Sequence, residues 1–518
     1  MNNRRLKNSV YNLLSGVFGQ LLQTVLKFVV RTVFIKTLGS QYLGINGLFS
    51  DILTLLSITE LGLDTAINTR LYKPLAEGNK NKVRLLVKFF KNVYFVIGVV
   101  IIILGCCLIP FLPRLIKDYN SLLVIGINLV LIYCLYLFQN ASSYLFFAYK
   151  SCVIKADQKS YILELAQMAV CIISNICQIV VLIISKSFIL YTILLILFTI
   201  LTNLVNAIIA QKMYPDVFAS TNESLSNQEM KEIFKDCGAL FIYKVNGVVT
   251  RATDNLVLST FIGITIVGIY SNYLLLYNTI NRLLTRFYES CKASMGNVYA
   301  TEDISKSYLL FEAMNFLTFI FYGTACTGIA VVSNEFIGLW LGVKYVLEQP
   351  IPLLLGISIL FAGIRNHLGQ IRNISGAFRQ MWYRPVLGII INLVVSIVLV
   401  QFWGISGVLI GTIVSNVFTN YLMDPIIIYR YSFKEFRTVK NYYINTLSYF
   451  CVISFTLCLD YILCSIICMN NSVISLILHI IICGFSVPTA FIMIYHNTEY
   501  GKYLIQKMLS ILKRKKAN

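Results

Sequence analysis

Leu38-Gly39-Ser40-Gln41-Tyr42-Leu43-Gly44-Ile45 and Ile262-Gly263-Ile264-Thr265-Ile266-Val267-Gly268-Ile269 align at an offset of 224 positions, with both glycines and the closing isoleucine in register. Each stretch lies between two long apolar segments, where a short hairpin must return the chain to the membrane. Lys82 and Lys306 keep the same offset, and Thr199-Ile200-Leu201-Thr202-Asn203-Leu204 pairs with Thr412-Ile413-Val414-Ser415-Asn416-Val417 at 213. Features recur in the same order, which indicates a duplicated membrane unit. Paired membrane repeats are a mark of transporters, with the substrate site where the halves face each other.

Composition sets the solvent. Of 518 residues, 57% are hydrophobic and only 13% charged, where a soluble domain carries about 25% charged residues. The mean hydropathy is +0.74. An apolar run of about 20 residues spans a bilayer as a helix. Fourteen such segments are expected, at 8–37, 42–71, 86–112, 121–149, 160–184, 187–211, 236–261, 266–291, 307–333, 349–378, 382–403, 405–429, 441–464 and 472–496. Barrel strands would need only about 10 alternating residues, and no segment alternates. The expected fold is an all-α polytopic membrane protein of two parallel six-helix lobes around a central cavity, plus two C-terminal helices. Its parts are an N-terminal lobe at 1–211, a cytoplasmic linker at 212–235, a C-terminal lobe at 236–432, two additional helices at 433–497 and a basic tail at 498–518. Ser226 and Glu229 have capping-box spacing ahead of the seventh segment.

The formal charge of +20 does not indicate nucleic acid, because of where it lies. With fourteen spans and an inside N-terminus, the outer loops hold only Arg114, Lys117, Lys186 and Lys344 of the basic loop residues. That is the positive-inside distribution of a multi-pass membrane protein with both termini in the cytoplasm. Lys73, Lys80, Lys82, Arg84, Lys88 and Lys91, and the tail Lys513-Arg514-Lys515-Lys516, read as topology anchors, with an anionic-lipid patch as the alternative for the tail. The first segment follows Arg4, Arg5 and Lys7 but is too long for a signal peptide and lacks a small-residue cleavage site. The fourteen cysteines form no C-x-x-C pair and lie mostly in apolar segments, so neither a disulfide framework nor a metal site is expected. His367, His479 and His496 are scattered and read as satisfied surface groups.

Ionisable groups at membrane depth are costly and face a cavity or one another. In the first segment Gln20, Gln23, Thr24, Lys27 and Arg31 share a face at 3.6 residues per turn. In the seventh, Lys244, Val248, Arg251 and Asn255 do so, and the offset of 224 places Arg251 on Lys27 and Asn255 on Arg31. The eighth carries Asn278, Arg282, Thr285, Arg286 and Glu289; the second carries Ser57, Glu60, Asp64 and Asn68. Two readings stand. Lys27, Arg31, Lys244, Arg251, Arg282 and Arg286 line a cationic cavity for a phosphate-bearing substrate, which an Arg fork binds bidentately. Alternatively they pair with Glu60, Asp64, Asp254 and Glu289 between packed helices. The acids have a second candidate role, as carriers of a coupling proton or sodium ion. Arg365, which recurs with Arg372 and Arg379 every seven residues, joins the cavity set.

Asp254-Asn255-Leu256-Val257-Leu258-Ser259-Thr260-Phe261-Ile262-Gly263 through Val267-Gly268-Ile269-Tyr270-Ser271, with the counterpart at Leu38–Ile45, resembles the polysaccharide flippases. These are the Wzx-type oligosaccharide transporters of the multidrug/oligosaccharidyl-lipid/polysaccharide exporter superfamily. The resemblance extends to the fourteen spans and the two six-helix halves. It implies lobes around a V-shaped cavity opening alternately to each side, and a substrate of the class undecaprenyl-diphosphate-linked oligosaccharide, flipped outward for capsule, O-antigen or exopolysaccharide assembly. It implies membrane lipids and polysaccharide assembly machinery as partners, a monomer, no cofactor, and cavity charges on the first, seventh and eighth helices. Lipid II flippases share the architecture. Multidrug exporters of the superfamily take organic cations, for which an acidic cavity is expected, whereas the first segment holds Lys27 and Arg31 and no acid. From another class, a membrane glycosyltransferase or polymerase needs a catalytic acid or base on an outer loop. The outer loops here are short, with Asp118, Glu335 and Glu348 as their main acids, so a non-enzyme is expected.

Overall fold

The computed structural model describes residues 2–60, 63–124, 126–219, 221–375, 383–433, 438–467 and 472–504; the side chains at 2–17, 59–60, 63–66, 68, 234–248, 250–251, 293–294 and 300 lie outside that description. Every regular element among the described residues is a helix. Nine helical stretches there are long and apolar enough to cross a membrane, so this is a multi-pass membrane protein. By packing, the chain divides into two compact units, Met1–Gly268 and Ile269–Asn518.

The first unit begins with α1 (Asn2–Leu38), α2 (Ser40–Leu56), a 3-10 turn at Ser57–Glu60, α3 (Leu63–Ala76) and α4 (Lys80–Leu108). Short helices α5 (Leu112–Leu115) and α6 (Tyr119–Val124) lead to α7 (Leu129–Leu145), then the short α8 (Ser151–Ala156), α9 (Ser160–Ser185), α10 (Phe188–Met213) and α11 (Asn227–Phe261). The expected single segment at 42–71 is broken after Leu56. There Ser57 Oγ donates to the Leu53 carbonyl at 2.8 Å and to Asn140 Oδ1 on α7 at 3.0 Å. A serine hydroxyl that engages backbone carbonyls competes with the helix ladder. The segment expected at 121–149 is also divided, with Gly126 at φ 88° and the Asn128 side chain capping α7 through the Leu131 amide at 3.0 Å. α1 packs along α9, α9 along α10, α10 along α7, and α11 along α2 and α3.

The second unit holds most of α12 (Ile264–Thr301), then α13 (Ile304–Leu341), α14 (Ile351–Ser375), α15 (Arg384–Asn416), α16 (Asp424–Ser432), α17 (Val439–Ile466) and α18 (Ser472–Tyr495). α15 contains the hairpin expected between 403 and 405. It bends at Gly404, φ 55°, and the arms return antiparallel. Asn392 Nδ2 donates to Thr412 Oγ1 at 2.9 Å, and Ser415 Oγ to the Gly388 carbonyl at 2.7 Å. A Cβ at Gly407 would lie 2.7 Å from the Val400 amide and one at Gly411 2.8 Å from that of Ser396. Small residues and hydroxyls thus bring the two backbones together, as expected where lipid removes the hydrophobic drive between helices. A π-helical turn, Val417–Met423, links α15 to α16. α13 is the core of this unit, packed by α14, α17 and α18. Its aromatic partners include Tyr429, Tyr442, Tyr449 and Phe491.

Candidate polar walls and gates

On α1, Lys27 is exposed and Arg31 half-buried, with Gln20, Gln23 and Thr24 half-buried on the same stripe. Beside the stripe, one turn before Gln23, Gly19 admits the Met168 thioether of α9 at 3.2 Å from its would-be Cβ. Arg31 interacts electrostatically with the Tyr191 hydroxyl of α10. Tyr191 is in turn fixed edge-on by Phe34, at 5.2 Å between ring centroids. The side chains of Glu60 and Asp64, the acids expected as partners of Arg31 and Lys27, lie outside the described residues, as do those of Lys244 and Arg251.

Farther along α11 the structure is explicit. Asn255, the repeat mate of Arg31, is buried and donates through Nδ2 to Asp51 Oδ2 on α2. Asp254 is half-buried and engaged. Beyond it the loop between α5 and α6 locks the end of α11. Ser259 Oγ donates to the Leu115 carbonyl at 2.9 Å, and the Lys117 amide to the Ser259 carbonyl at 3.1 Å. Lys117 Nζ donates to the Phe261 carbonyl at 3.0 Å, and the Ile264 amide to Asp118 Oδ2 at 3.3 Å. A cation therefore sits on the C-terminal carbonyl of α11 and an anion on the N-terminal amide of α12, each matched to its helix dipole. Adjacent to this latch, Gly39 and Gly263 take positive φ of 87° and 134°, which glycine tolerates without steric cost. They start α2 and α12 on paths that cross at Gly44 and Gly268.

At the opposite end of α11 the basic run after α3 grips the connector. Lys80 Nζ donates to Asp216 Oδ2 at 2.6 Å and Arg84 Nε to the Asp216 carbonyl at 3.0 Å. Lys88 Nζ donates to the Thr221 and Glu223 carbonyls at 2.8 and 3.0 Å. Lys82 pairs with Glu229 and Arg70 with Glu232, the latter at 3.4 Å. The Lys80 hydrogen bond and charge hold the Asp216 carboxyl below its usual range, and Lys82 does the same for Glu229. The Ser226–Glu229 capping box is formed as its spacing predicts. The lysines read as topology anchors thus also hold a docked connector. Their partners are more than a hundred positions away, and nothing local in the sequence announces them.

In the second unit, Arg282 on α12 is half-buried and donates through Nε to the Asn278 carbonyl at 3.1 Å. A turn away, Asn366 of α14 donates to Thr285 Oγ1 at 3.0 Å and to the Tyr322 hydroxyl at 2.8 Å, while Tyr322 donates to Asn281 at 3.3 Å. Gly363 makes this possible, since a Cβ there would occupy the Tyr322 ring. Arg365 is half-buried and interacts electrostatically with Tyr322. Arg282 and Arg365 thus share a hydroxyl- and amide-rich wall. Arg286 pairs with Glu289 at 3.7 Å on the exposed side of α12. Arg372 turns elsewhere. With Arg384 it clasps buried Asp424, at 2.9 and 3.0 Å. Arg379 lies outside the described residues.

Two histidines read as surface groups are buried. His367 packs on Phe311 at 5.1 Å. His479 Nδ1 lies 2.6 Å from Glu335 Oε2, and its Nε2 lies 3.1 Å from the Ile467 carbonyl.

Residues 17–184 match the MatE family. Among solved structures the chain is similar to the lipid II flippase MurJ in an inward closed conformation, at 13% identity over 94% of this chain and 99% of that one, with a TM-score of 0.67. It is also similar to an inward-facing multidrug resistance MATE family transporter of the MOP superfamily, at 14% identity over 80% and 96%, TM-score 0.62. A third likeness is to a MATE transporter of Vibrio cholerae, at 15% over 82% and 97%, TM-score 0.51. No curated protein matches the chain. The all-α polytopic fold expected from the repeat is thus the fold of these transporters.

Proposed function

We propose that this protein is an alternating-access flippase of the bacterial cytoplasmic membrane, both termini inside, which moves undecaprenyl-diphosphate-linked oligosaccharide to the outer leaflet. The repeat boundaries at 1–211, 212–235 and 236–432 define its two lobes and connector in this reading. The observation that carries it is the sign of the polar walls on a MATE-like fold. The stripe of α1 bears exposed Lys27 and half-buried Arg31, and the α12–α14 wall bears Arg282 and Arg365. Basic groups suit a diphosphate and repel an organic cation. Their Coulomb energy with a diphosphate grows as the site sheds water, and release follows when water returns.

An apolar groove of about 580 Å³ between α12, α13 and α18, lined by Leu276, Ile280, Leu284, Phe321, Gly328 and Pro488 among others, suits a polyprenyl chain. The likeness to MurJ, which covers nearly all of both chains, favours lipid II as the second reading. Both substrates share the polyprenyl diphosphate, and no step here makes or breaks a covalent bond.

Purified protein in liposomes, loaded with lipid-linked oligosaccharide, lipid II or a fluorescent organic cation, tests the assignment. Translocation of the oligosaccharide lipid supports it. Translocation of lipid II alone assigns the second reading, and transport of the cation alone overturns both.

A further inference from the structure

Glu312 lies two turns into α13 and is 3% exposed. Its carboxylate accepts hydrogen bonds from side chains of three helices. The Tyr308 hydroxyl of α13 and the Tyr429 hydroxyl of α16 reach Oε1 at 2.9 and 3.2 Å; Asn445 Nδ2 of α17 reaches Oε2 at 3.3 Å. The two tyrosine oxygens lie 3.2 Å apart. Phe311, the preceding residue, closes one side with Tyr429, Phe433 and Tyr442. On the other side a cavity of about 500 Å³ reaches the carboxylate, lined by Lys306, Tyr308, Asn441, Asn445, Glu499 and Tyr500 among others. It opens at the end of the unit where α13 and α17 begin and α18 has ended.

The donor set distinguishes among ions. A metal cation needs lone pairs pointed at it, several oxygens together. Tyr308, Tyr429 and Asn445 point O–H and N–H at Glu312. They stabilise a carboxylate in an apolar place, where charge is otherwise costly. A proton arriving from the cavity bonds to one carboxylate oxygen and neutralises it. Protonation removes the charge to which the two tyrosines and the asparagine donate and adds an O–H that itself needs an acceptor, so the bonds from α16 and α17 weaken. The link from α13 to α16 or α17 changes with it.

We propose that Glu312 is a proton-binding site that couples the second unit's packing to a proton gradient, with the cavity as the proton's path. The proposal rests on the transport reading and names its coupling ion. It also gives α17 a role, although that helix has no counterpart in the repeat. The groups around the carboxylate are Tyr308, Tyr429, Tyr442, Tyr449 and Tyr500, each in electrostatic or hydrogen-bond contact with it. His367 of α14 lies behind Phe311, Asp424 of α16 is clasped by Arg372 and Arg384, and Lys306 and Glu499 stand at the cavity.

Infrared difference spectra of the full chain in liposomes, recorded across a pH titration, test this without requiring transport. The protonated-carboxyl stretch is expected to lose one component in Glu312→Gln, to move in Glu312→Asp, and to shift its midpoint in Tyr429→Phe. Spectra of Glu312→Gln identical to the native titration overturn the proposal. So does sodium binding that Glu312→Gln abolishes while the proton titration is unchanged. If the Gln variant does not elute as a folded species, Tyr429→Phe and Asn445→Leu carry the test through the midpoint, and an unmoved midpoint in both is the contrary result. A native titration assigned to Glu312 in a protein that flips no lipid retains the site and sinks the transport reading instead.

Discussion

Gly44 and Gly268 meet face to face, each occupying the space that a side chain on the other side would need. A Cβ at Gly44 would lie 3.1 Å from the Gly268 amide nitrogen, and one at Gly268 would lie 3.0 Å from that of Gly44. Each would also collide with a carbonyl, that of Ile264 for Gly44 and that of Ser40 for Gly268. Ser40 and Ile264 are themselves 224 positions apart, so the contact is its own mirror under the repeat. The two halves of the crossing thus come from the two stretches that align in the sequence.

A methyl group at either glycine must push backbone apart. Overpacking of this kind costs about 1–3 kcal/mol. Ser40→Cys with Ile264→Cys, in a background lacking other reactive cysteines, is expected to cross-link readily, and the yield is expected to fall when Gly44→Ala or Gly268→Ala is added. Unchanged yield in both would show that the crossing is looser than its geometry.

The latch at Lys117 and Asp118 rests on helix-end electrostatics, worth about 0.3–1 kcal/mol per charge. Asp118→Asn and Lys117→Gln are each expected to raise labelling of Asn255→Cys by a membrane-impermeant thiol reagent added outside. The double variant is expected to raise it further, and added salt to raise it in the native chain.

The connector docks through carboxylates whose folded-state pKa is depressed, Asp216 by Lys80 and Glu229 by Lys82. A depressed carboxylate contributes stability that is present above its unfolded value and is lost as pH falls through the folded value. Docking is therefore full at neutral pH and weakens on acidification below the ordinary carboxylate range, about pH 4. A spin label at Ser224→Cys is expected to be immobile at neutral pH and to gain mobility as the pH falls through that window. Asp216→Asn is expected to show the mobile spectrum already at neutral pH.

Asp424 holds two buried arginines, Arg372 and Arg384. Asp424→Leu leaves both without this partner and is expected to destabilise the second unit by about 3–5 kcal/mol, read as a lowered melting temperature in detergent. Asp424→Glu, which keeps the charge, is expected to lose less.

Much of the fold could be read from the chain because hydropathy and length act locally. Each of the fourteen expected segments overlaps a helix, the bend at Gly404 falls between two expected segments, and Ser226 caps α11 as its spacing predicts. The break after Leu56 was not legible, because an apolar run continues through it and the hydroxyl partner, Asn140, is 83 positions away. Charge was legible as charge but not as pairing. Arg365 and Arg372 sit on one stripe of α14, yet one joins the Tyr322 wall while the other goes to Asp424, a residue on α16 that the pattern of α14 does not mention. Glu312 was overlooked for the same reason, since only Tyr308 among these donors is local and the other two, Tyr429 and Asn445, come from α16 and α17.

The cationic-wall account is tested most directly by export of lipid-linked oligosaccharide in cells whose only copy carries Arg31→Ala or Arg282→Ala, with Arg31→Lys and Arg282→Lys beside them and surface abundance matched. The account predicts that each alanine variant loses at least about tenfold in export, equivalent to roughly 1.4 kcal/mol of substrate stabilisation, and that each lysine variant retains part of it because a point charge replaces the fork. Full export by both alanine variants at native abundance would contradict the account.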